Sequence, residues 1–278
     1  MATAAVLTPR DVPTTLNYFK ALNDEPPRRY VEPPEGKPSS NVGSDPQPAV
    51  VHDVRGREAE FSLDKNGFQF VRWPSVEKDF THDDGIKERY YPEVEQILKE
   101  VTGAKRVYIF DHTVRRNPNS DLSDRKNPGP AEVVHVDQAY WASVDRVKYH
   151  LPADAARLLQ SRVRIINVWR PIAHPVAHKP LALADWRTLD AANLVPVELV
   201  YPHRTGATYG VSYNPARELE WYYLGGQTPE EVALIKCYDS ETDTARLTPH
   251  SAFKDAGSPA DAPHRQSIEV RALVFDVE

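Results

Sequence analysis

Cys237 is the only cysteine among the 278 residues of this chain. A lone thiol excludes an intramolecular disulfide and any four-cysteine zinc or iron–sulfur site, and it fits a reducing, cytoplasmic setting. Positive charge is also short: 34 Lys and Arg stand against 40 Asp and Glu, for a formal net charge of -6. That balance leaves no basic footprint for a nucleic-acid backbone or an anionic membrane surface. No apolar run reaches the roughly 18 residues that a membrane span needs. The start, Met1 to Leu7, lacks a charged n-region and meets Pro9, Arg10 and Asp11 at once, so no secretory signal is expected. Neither nucleic acid nor a membrane is an expected partner, and a monomer or homodimer is expected.

Nine of the 25 prolines fall in the first 50 residues. The stretch 25–38 is too proline-rich for helix or a central strand, so residues 1–49 are expected to be an extended arm that docks through Leu16, Tyr18 and Phe19. Residues 50–278 are expected to be one catalytic domain, within the size a single core can fill. Short β-rich runs dominate it: 49–54, 59–63, 68–71, 106–110, 133–136, 163–169, 194–200, 208–212, 219–224, 232–237, 246–248 and 267–275. Two helices are predicted, over about 86–101 with Gly103 as its stop, and over about 153–160. Many short strands without strand–helix alternation argue for a mainly β, jelly-roll body with flanking helices.

Chemistry is carried by Val133-Val-His135-Val-Asp137. Residues i and i+2 of a strand project from one face, so His135 and Asp137 would present an imidazole nitrogen and a carboxylate oxygen side by side. A histidine from far along the chain would complete a 2-His-1-carboxylate set, a pattern that favours non-haem iron and leaves coordination positions open. His82-Asp83-Asp84 has the same spacing, but it directly precedes a helix and reads as a capping segment. The distal candidates are His150, His174, His178, His203, His250 and His264. Pro171, Pro175 and Pro180 deny His174 and His178 the helix that a zinc-protease arrangement requires. His250 is preferred because a polar loop follows it and leads to Arg265-Gln-Ser267 at the start of the last strand. Arg265 could hold a carboxylate bidentately, with the Ser267 hydroxyl beside it. This order resembles the 2-oxoglutarate oxygenases, in which an arginine after the distal histidine pairs with the cosubstrate's far carboxylate.

A longer series of motifs sharpens the resemblance: Leu16-Asn-Tyr18, Asp64-Lys-Asn-Gly-Phe68, Phe110-Asp-His-Thr-Val-Arg115, Val134-His-Val-Asp137, Ile165-Ile-Asn-Val-Trp-Arg-Pro-Ile172, Pro180-Leu-Ala-Leu183 and Ser267-Ile-Glu-Val-Arg271. Together they resemble the fungal and bacterial gibberellin-desaturase-like, AsaB-type hydroxylase/desaturase family, which is related to the 7α-cephem-methoxylase accessory protein. The resemblance implies a cupin-like double-stranded β-helix, Fe(II), 2-oxoglutarate and molecular oxygen. It also implies hydroxylation, desaturation or oxidative cyclisation of a small metabolite in specialised metabolism.

Within these segments Asn167 is a candidate donor to 2-oxoglutarate. Arg115 and Arg170 are candidates for a substrate carboxylate, although Arg170 lies on the opposite face of its strand from Asn167. Tyr140 and Trp141 follow the metal motif and, with 221–223, could form an apolar wall. Two other classes compete: a non-redox Zn²⁺ or Mn²⁺ enzyme on the same ligands, for which Arg265 would be dispensable, and a non-catalytic accessory protein.

Overall fold

The computed structural model describes residues 9–119 and 128–278; residues 1–8 of the expected arm lie outside that range. In chain order the elements are β1 (Val12–Ala21), β2 (Arg28–Tyr30), β3 (Val42–Asp53), β4 (Phe68–Arg72), α1 (Asp83–Gly85), α2 (Tyr91–Thr102), β5 (Arg106–Arg115), β6 (His135–Val136), α3 (Tyr140–His150), α4 (Ala155–Leu158), β7 (Val163–Pro171), β8 (Leu181–Ala184), β9 (Leu194–Val200), β10 (Thr205–Val211), β11 (Trp221–Tyr223), β12 (Glu231–Asp239), β13 (His250–Ala252) and β14 (Ser267–Phe275). The strands form two curled sheets, ordered β1-β3-β11-β8-β13-β6-β10-β9-β2 and β4-β12-β7-β14-β5. This is the jelly-roll, a double-stranded β-helix with helices at its flanks.

The smaller sheet alternates, broken in β12 by a bulge that turns both Cys237 and Tyr238 inward. Ile165, Trp169, Ala233, Ile235, Leu273 and Phe275 fill the space between the sheets, while Ile166, Val168, Leu234, Val270 and Val274 face outward. Outward apolar side chains need a cover, and α2 supplies it with Val94, Ile97 and Leu98, all fully buried. Each such side chain contributes about 1.5–3 kcal/mol. The helix ends as its sequence predicts, with Gly103 at φ 69° and its N–H bonded to Lys99 O at 2.9 Å. Its start is not one smooth helix: a π-turn over Ile86–Tyr90 joins α1 to α2. Pro92 sits at the first turn of α2 with no N–H to return to Glu88, and the wider turn lies there.

The N-terminal arm is more regular than its prolines suggest. Strands β1 and β3 pair antiparallel from Val12↔Val51 to Ala21↔Val42, so the expected boundary between residues 49 and 50 falls inside β3. Pro46 and Pro48 are accommodated because β11 pairs with β3 only over Val51–Asp53, leaving the earlier residues hydrogen-bonded on one side. Two predicted strands are absent: 58–60 is a 3₁₀ turn, and 246–248 is irregular and precedes β13. The helix α3 is absent from the sequence reading because only Ala142, Ser143 and Val147 are buried in it, too sparse an apolar stripe to read.

Arg170 occupies the outer face of β7, fully buried, with Nε donating to Tyr90 Oη at 3.0 Å and Nη1 to the carbonyls of Trp73 and Pro229 at 2.7 and 2.6 Å. Its partners are internal, and the geometry does not support a substrate role for it. Arg170→Met is therefore expected to cost about 3–5 kcal/mol of stability, since it leaves buried acceptors unpaired. The 2-oxoglutarate KM of the folded fraction should stay unchanged; thermal denaturation together with steady-state kinetics checks both halves.

Candidate metal and cosubstrate site

Strand β13 lies between β8 and β6, and its register sets His250 directly across from His135. Antiparallel pairing brings the two imidazoles to a ring-centroid distance of 4.4 Å. Asp137 follows β6 immediately, with Oδ1 3.3 Å from His135 Nε2 and 3.9 Å from His250 Nε2. The three residues offer ligand atoms all within 4.8 Å of one another, a cluster able to hold a metal ion.

Each imidazole is oriented in the same way. His135 Nδ1 is 2.8 Å from Val133 O, and His250 Nδ1 is 3.0 Å from Thr248 O, the carbonyl two residues earlier in both cases. A carbonyl can only accept, so it fixes the tautomer with Nδ1 protonated and Nε2 free to ligate. Across the inter-sheet space, Asn167 Nδ2–H donates to Asp137 Oδ2 at 2.6 Å, which leaves Oδ1 to face the histidines. Burial works against the Asp137 charge, but the hydrogen bond to His135 and the nearby His250 and Arg271 hold it well below the usual carboxylate range. Burial, aided by His135, lowers His250 to about 4. At neutral pH this is a neutral nitrogen donor beside an ionised oxygen donor, both candidate ligands.

The inner face of β14 continues the site as Ser267, Glu269 and Arg271, each opposite an inner residue of β5: Arg115, Thr113 and Asp111 respectively. Arg271 Nε bonds Asp111 Oδ1 at 2.5 Å, and Nη1 lies 3.3 Å from Glu269. Asp111 is thus tied to an internal partner, while Arg115 reaches the carbonyl of Gly129 at 2.7 Å and lines the same cavity as His135. Arg265 is buried, with its guanidinium 5.5 Å from the Trp169 ring centroid. Nη1 donates to Lys179 O at 2.7 Å, but among the described residues Nε has no partner, nor does Ser267 Oγ or Asn167 Oδ1. Burial, reinforced by Arg115, brings the Arg265 guanidinium down to about 9. Of these, the Arg265 and Ser267 donors are what an anionic ligand would complete; the Asn167 oxygen, an acceptor, is not.

Other expected residues are not brought to this place. Trp141 is 44% exposed. Tyr140 lies between two core clusters with Arg246 4.0 Å from its ring centroid, and Tyr209 Oη accepts from its backbone N–H. Trp221 is core, bonded to Tyr18 Oη at 3.1 Å. His264 is exposed, beside His178. His82 stands just before α1 with no side-chain capping bond of its own, while Asp83 and Asp84 occupy the first turn.

The sequence reading missed the support beneath the ligands. The turn Asp64–Gly67 is a staple: Asp64 bonds buried Lys236 at 2.7 Å, Asn66 bonds Asp185 at 2.7 Å, and Gly67 O accepts from Thr248 Oγ at 2.6 Å. Gly67 has φ 91°, and an added Cβ would lie 2.4 Å from that Thr248 oxygen. The signals were present as the Asp-Lys-Asn-Gly motif and as a threonine two residues before His250.

A double-stranded β-helix carrying a His-Asp-His cluster and a partly satisfied buried arginine defines the Fe(II)/2-oxoglutarate oxygenase class. Over residues 16–275 the chain matches the family described as YDMC: Oxidoreductase/YMDC permease-like domain, and it belongs to that family. It is 38% identical to the hydroxylase/desaturase efuI of Hormonema carpetanum, over 98% of this chain and 97% of that protein. It is 36% identical to the Fe(II)/2-oxoglutarate-dependent dioxygenase nvfI of Aspergillus novofumigatus, over 88% and 89% of the two chains. The solved structure of the iron and alpha-ketoglutarate-dependent endoperoxidase NvfI superposes with a TM-score of 0.85 at 31% identity, covering 96% of this chain and 99% of that one. The chain is an Fe(II)/2-oxoglutarate-dependent oxygenase of small-molecule biosynthesis, as the motif resemblance implied. Among the described residues no helix is long and apolar enough to cross a membrane.

Two outcomes follow for the site. Gly67→Ala should weaken ferrous-ion affinity by about 10–100-fold through Thr248 and His250, measured by anaerobic metal titration; unchanged affinity would remove the staple from the account. The second concerns pH. His250 takes a proton near its ordinary value when unfolded, but only near 4 when folded. Between those values the unfolded chain binds more protons, so the metal-free protein loses stability as pH falls. Its Tm should drop across that window, and His250→Gln should flatten the drop.

Proposed function

We propose that His135, Asp137 and His250 hold the ferrous ion, that Arg265 and Ser267 receive the far carboxylate of 2-oxoglutarate, and that Asn167 serves both. The observation that carries this reading is the pair of open buried atoms, Arg265 Nε and Ser267 Oγ, at the inner start of β14. When bound, iron and 2-oxoglutarate supply the oxygen activation needed to attack an unactivated C–H bond. The protein's own work is placement. Val133 O and Thr248 O aim the two Nε2 atoms, and Asn167 turns Asp137 toward them. The second amide N–H of Asn167 remains available to the cosubstrate's chelating end. Trp169 and the apolar interior of both sheets keep water from the reacting carbon, so the outcome follows from where the substrate sits.

The substrate is a small or medium-sized metabolite with a polar handle; Arg115 lines the cavity beside His135 but stands opposite Ser267, on the side given to the cosubstrate, so the handle is met elsewhere in that cavity. The protein is proposed to work in the cytoplasm as a monomer or homodimer.

His135→Ala, Asp137→Ala and His250→Ala should each abolish iron binding, whereas His82→Ala and His264→Ala should retain it. Arg265→Ala should raise the 2-oxoglutarate KM at least about tenfold, as loss of a charged hydrogen bond of about 1.5–3 kcal/mol requires. The assay is succinate release from 2-oxoglutarate with ferrous iron across a metabolite panel. An unchanged KM in Arg265→Ala would overturn the cosubstrate assignment.

A further inference from the structure

A cavity of about 220 Å³ opens beside His135, and the N-terminal arm supplies much of its wall. Phe19 of β1, Val42 and Gly43 of β3, and Arg29 of β2 face Val197, Leu199 and Thr208 of the main body there. The arm is held to the body by backbone pairing: β2 runs parallel to β9 with Arg29 opposite Leu199, and Arg29 also bridges Ser40. The closeness of this seam is visible at Gly210, which pairs with His135. A Cβ there would lie 2.7 Å from Phe19, so only glycine lets the arm's ring pack against the strand next to the proposed iron ligand.

Arg29 is unlike the other arginines around this site. Arg115 has the Gly129 carbonyl, Arg271 has Asp111, and Arg265 has the Lys179 carbonyl. For Arg29, burial lowers the titration from its ordinary value. Among the described residues its guanidinium has no hydrogen-bond or ion-pair partner. Arginine stays charged at any physiological pH, and no Arg29 nitrogen is among the fully buried polar atoms that lack a partner, so the guanidinium opens onto the solvent of the cavity. A ligand carboxylate could replace that water between the valine and leucine walls.

We propose that Arg29 is the substrate-recognition residue of this oxygenase, binding the carboxylate of an apolar monoacid whose hydrocarbon body lies between the arm and β9–β10 and reaches toward His135. The proposal rests on the iron-site reading above and gives it a substrate class. A carboxylate matches the planar guanidinium bidentately, and a single cation unpaired among the described residues of this wall suits a monoanion. Arg115 shares the cavity but stands opposite Ser267, at the cosubstrate end. Arg29 stands at the far end, so the acid group would be held away from the oxidised carbon. The arm is on this account part of the specificity apparatus.

The test uses full-length protein loaded anaerobically with Fe(II) and 2-oxoglutarate, with 4-phenylbutanoate and its methyl ester as probes in calorimetric titrations. The acid should bind at least about tenfold more tightly than the ester. Arg29→Gln should abolish that preference and Arg29→Lys should restore part of it, while both retain the 2-oxoglutarate affinity of the unmodified protein. Arg265→Ala should lose 2-oxoglutarate affinity yet keep the acid preference. Equal affinity for acid and ester in the unmodified protein, no binding of either, or a preference that survives Arg29→Gln but falls in Arg115→Gln would overturn the proposal. Failure of the unmodified protein to bind 2-oxoglutarate would instead strike at the iron-site reading alone.

Discussion

Everything around the candidate site answers one electrostatic demand: Asp137 is a carboxylate held between two packed sheets, and it stays ionised only because each oxygen is matched. Oδ2 accepts from Asn167 on the opposite sheet, and Oδ1 faces two imidazoles. Remove the amide and an uncompensated oxygen is left in a largely apolar interior, where an unmade hydrogen bond costs about 1–3 kcal/mol. The bond also joins the sheets across their gap at the point where the three candidate ligands meet. Packing of Ile165, Ile235, Leu273 and Phe275 sets the spacing of the sheets, and the polar contact sets their alignment.

The histidines are governed by a second, more local constraint. An imidazole has two nitrogens, and a ligand is useful only if the correct one is free. Using the carbonyl two residues back for both His135 and His250 solves this with backbone alone, so side-chain identity at 133 and 248 is released for other tasks. At 248 that task is bracing, because the threonine hydroxyl bonds Gly67 O in a turn also tied to Lys236 and Asp185. Orientation of His250 thus depends on residues far from it in sequence.

Much of this was legible in the sequence, and the physical reasons for the limits are specific. Strand periodicity put His135 and Asp137 on one face, separated Asn167 from Arg170, and bounded β9 and β14 to the residue, because two-residue alternation is a direct consequence of the pleat. Pairing partners are not encoded that way, so nothing local showed that β13 would set His250 against His135, or that β1 and β3 would pair despite their prolines. Helix α3 escaped because its buried stripe is short and small. Arg29 escaped because an arginine in a proline-rich stretch looks solvated until a parallel partner strand covers it. The alternation Ser267, Glu269, Arg271 was readable and marks the inner face of β14, yet which of the three would find a partner depended on β5.

The central claim is that two imidazoles and one carboxylate of this chain, and no sulfur, bind a single ferrous ion. Iron-edge X-ray absorption of the anaerobic Fe(II)-loaded protein addresses it directly. The account predicts scattering from two histidine rings with oxygen completing the shell; a sulfur neighbour, or a histidine count other than two, would contradict it.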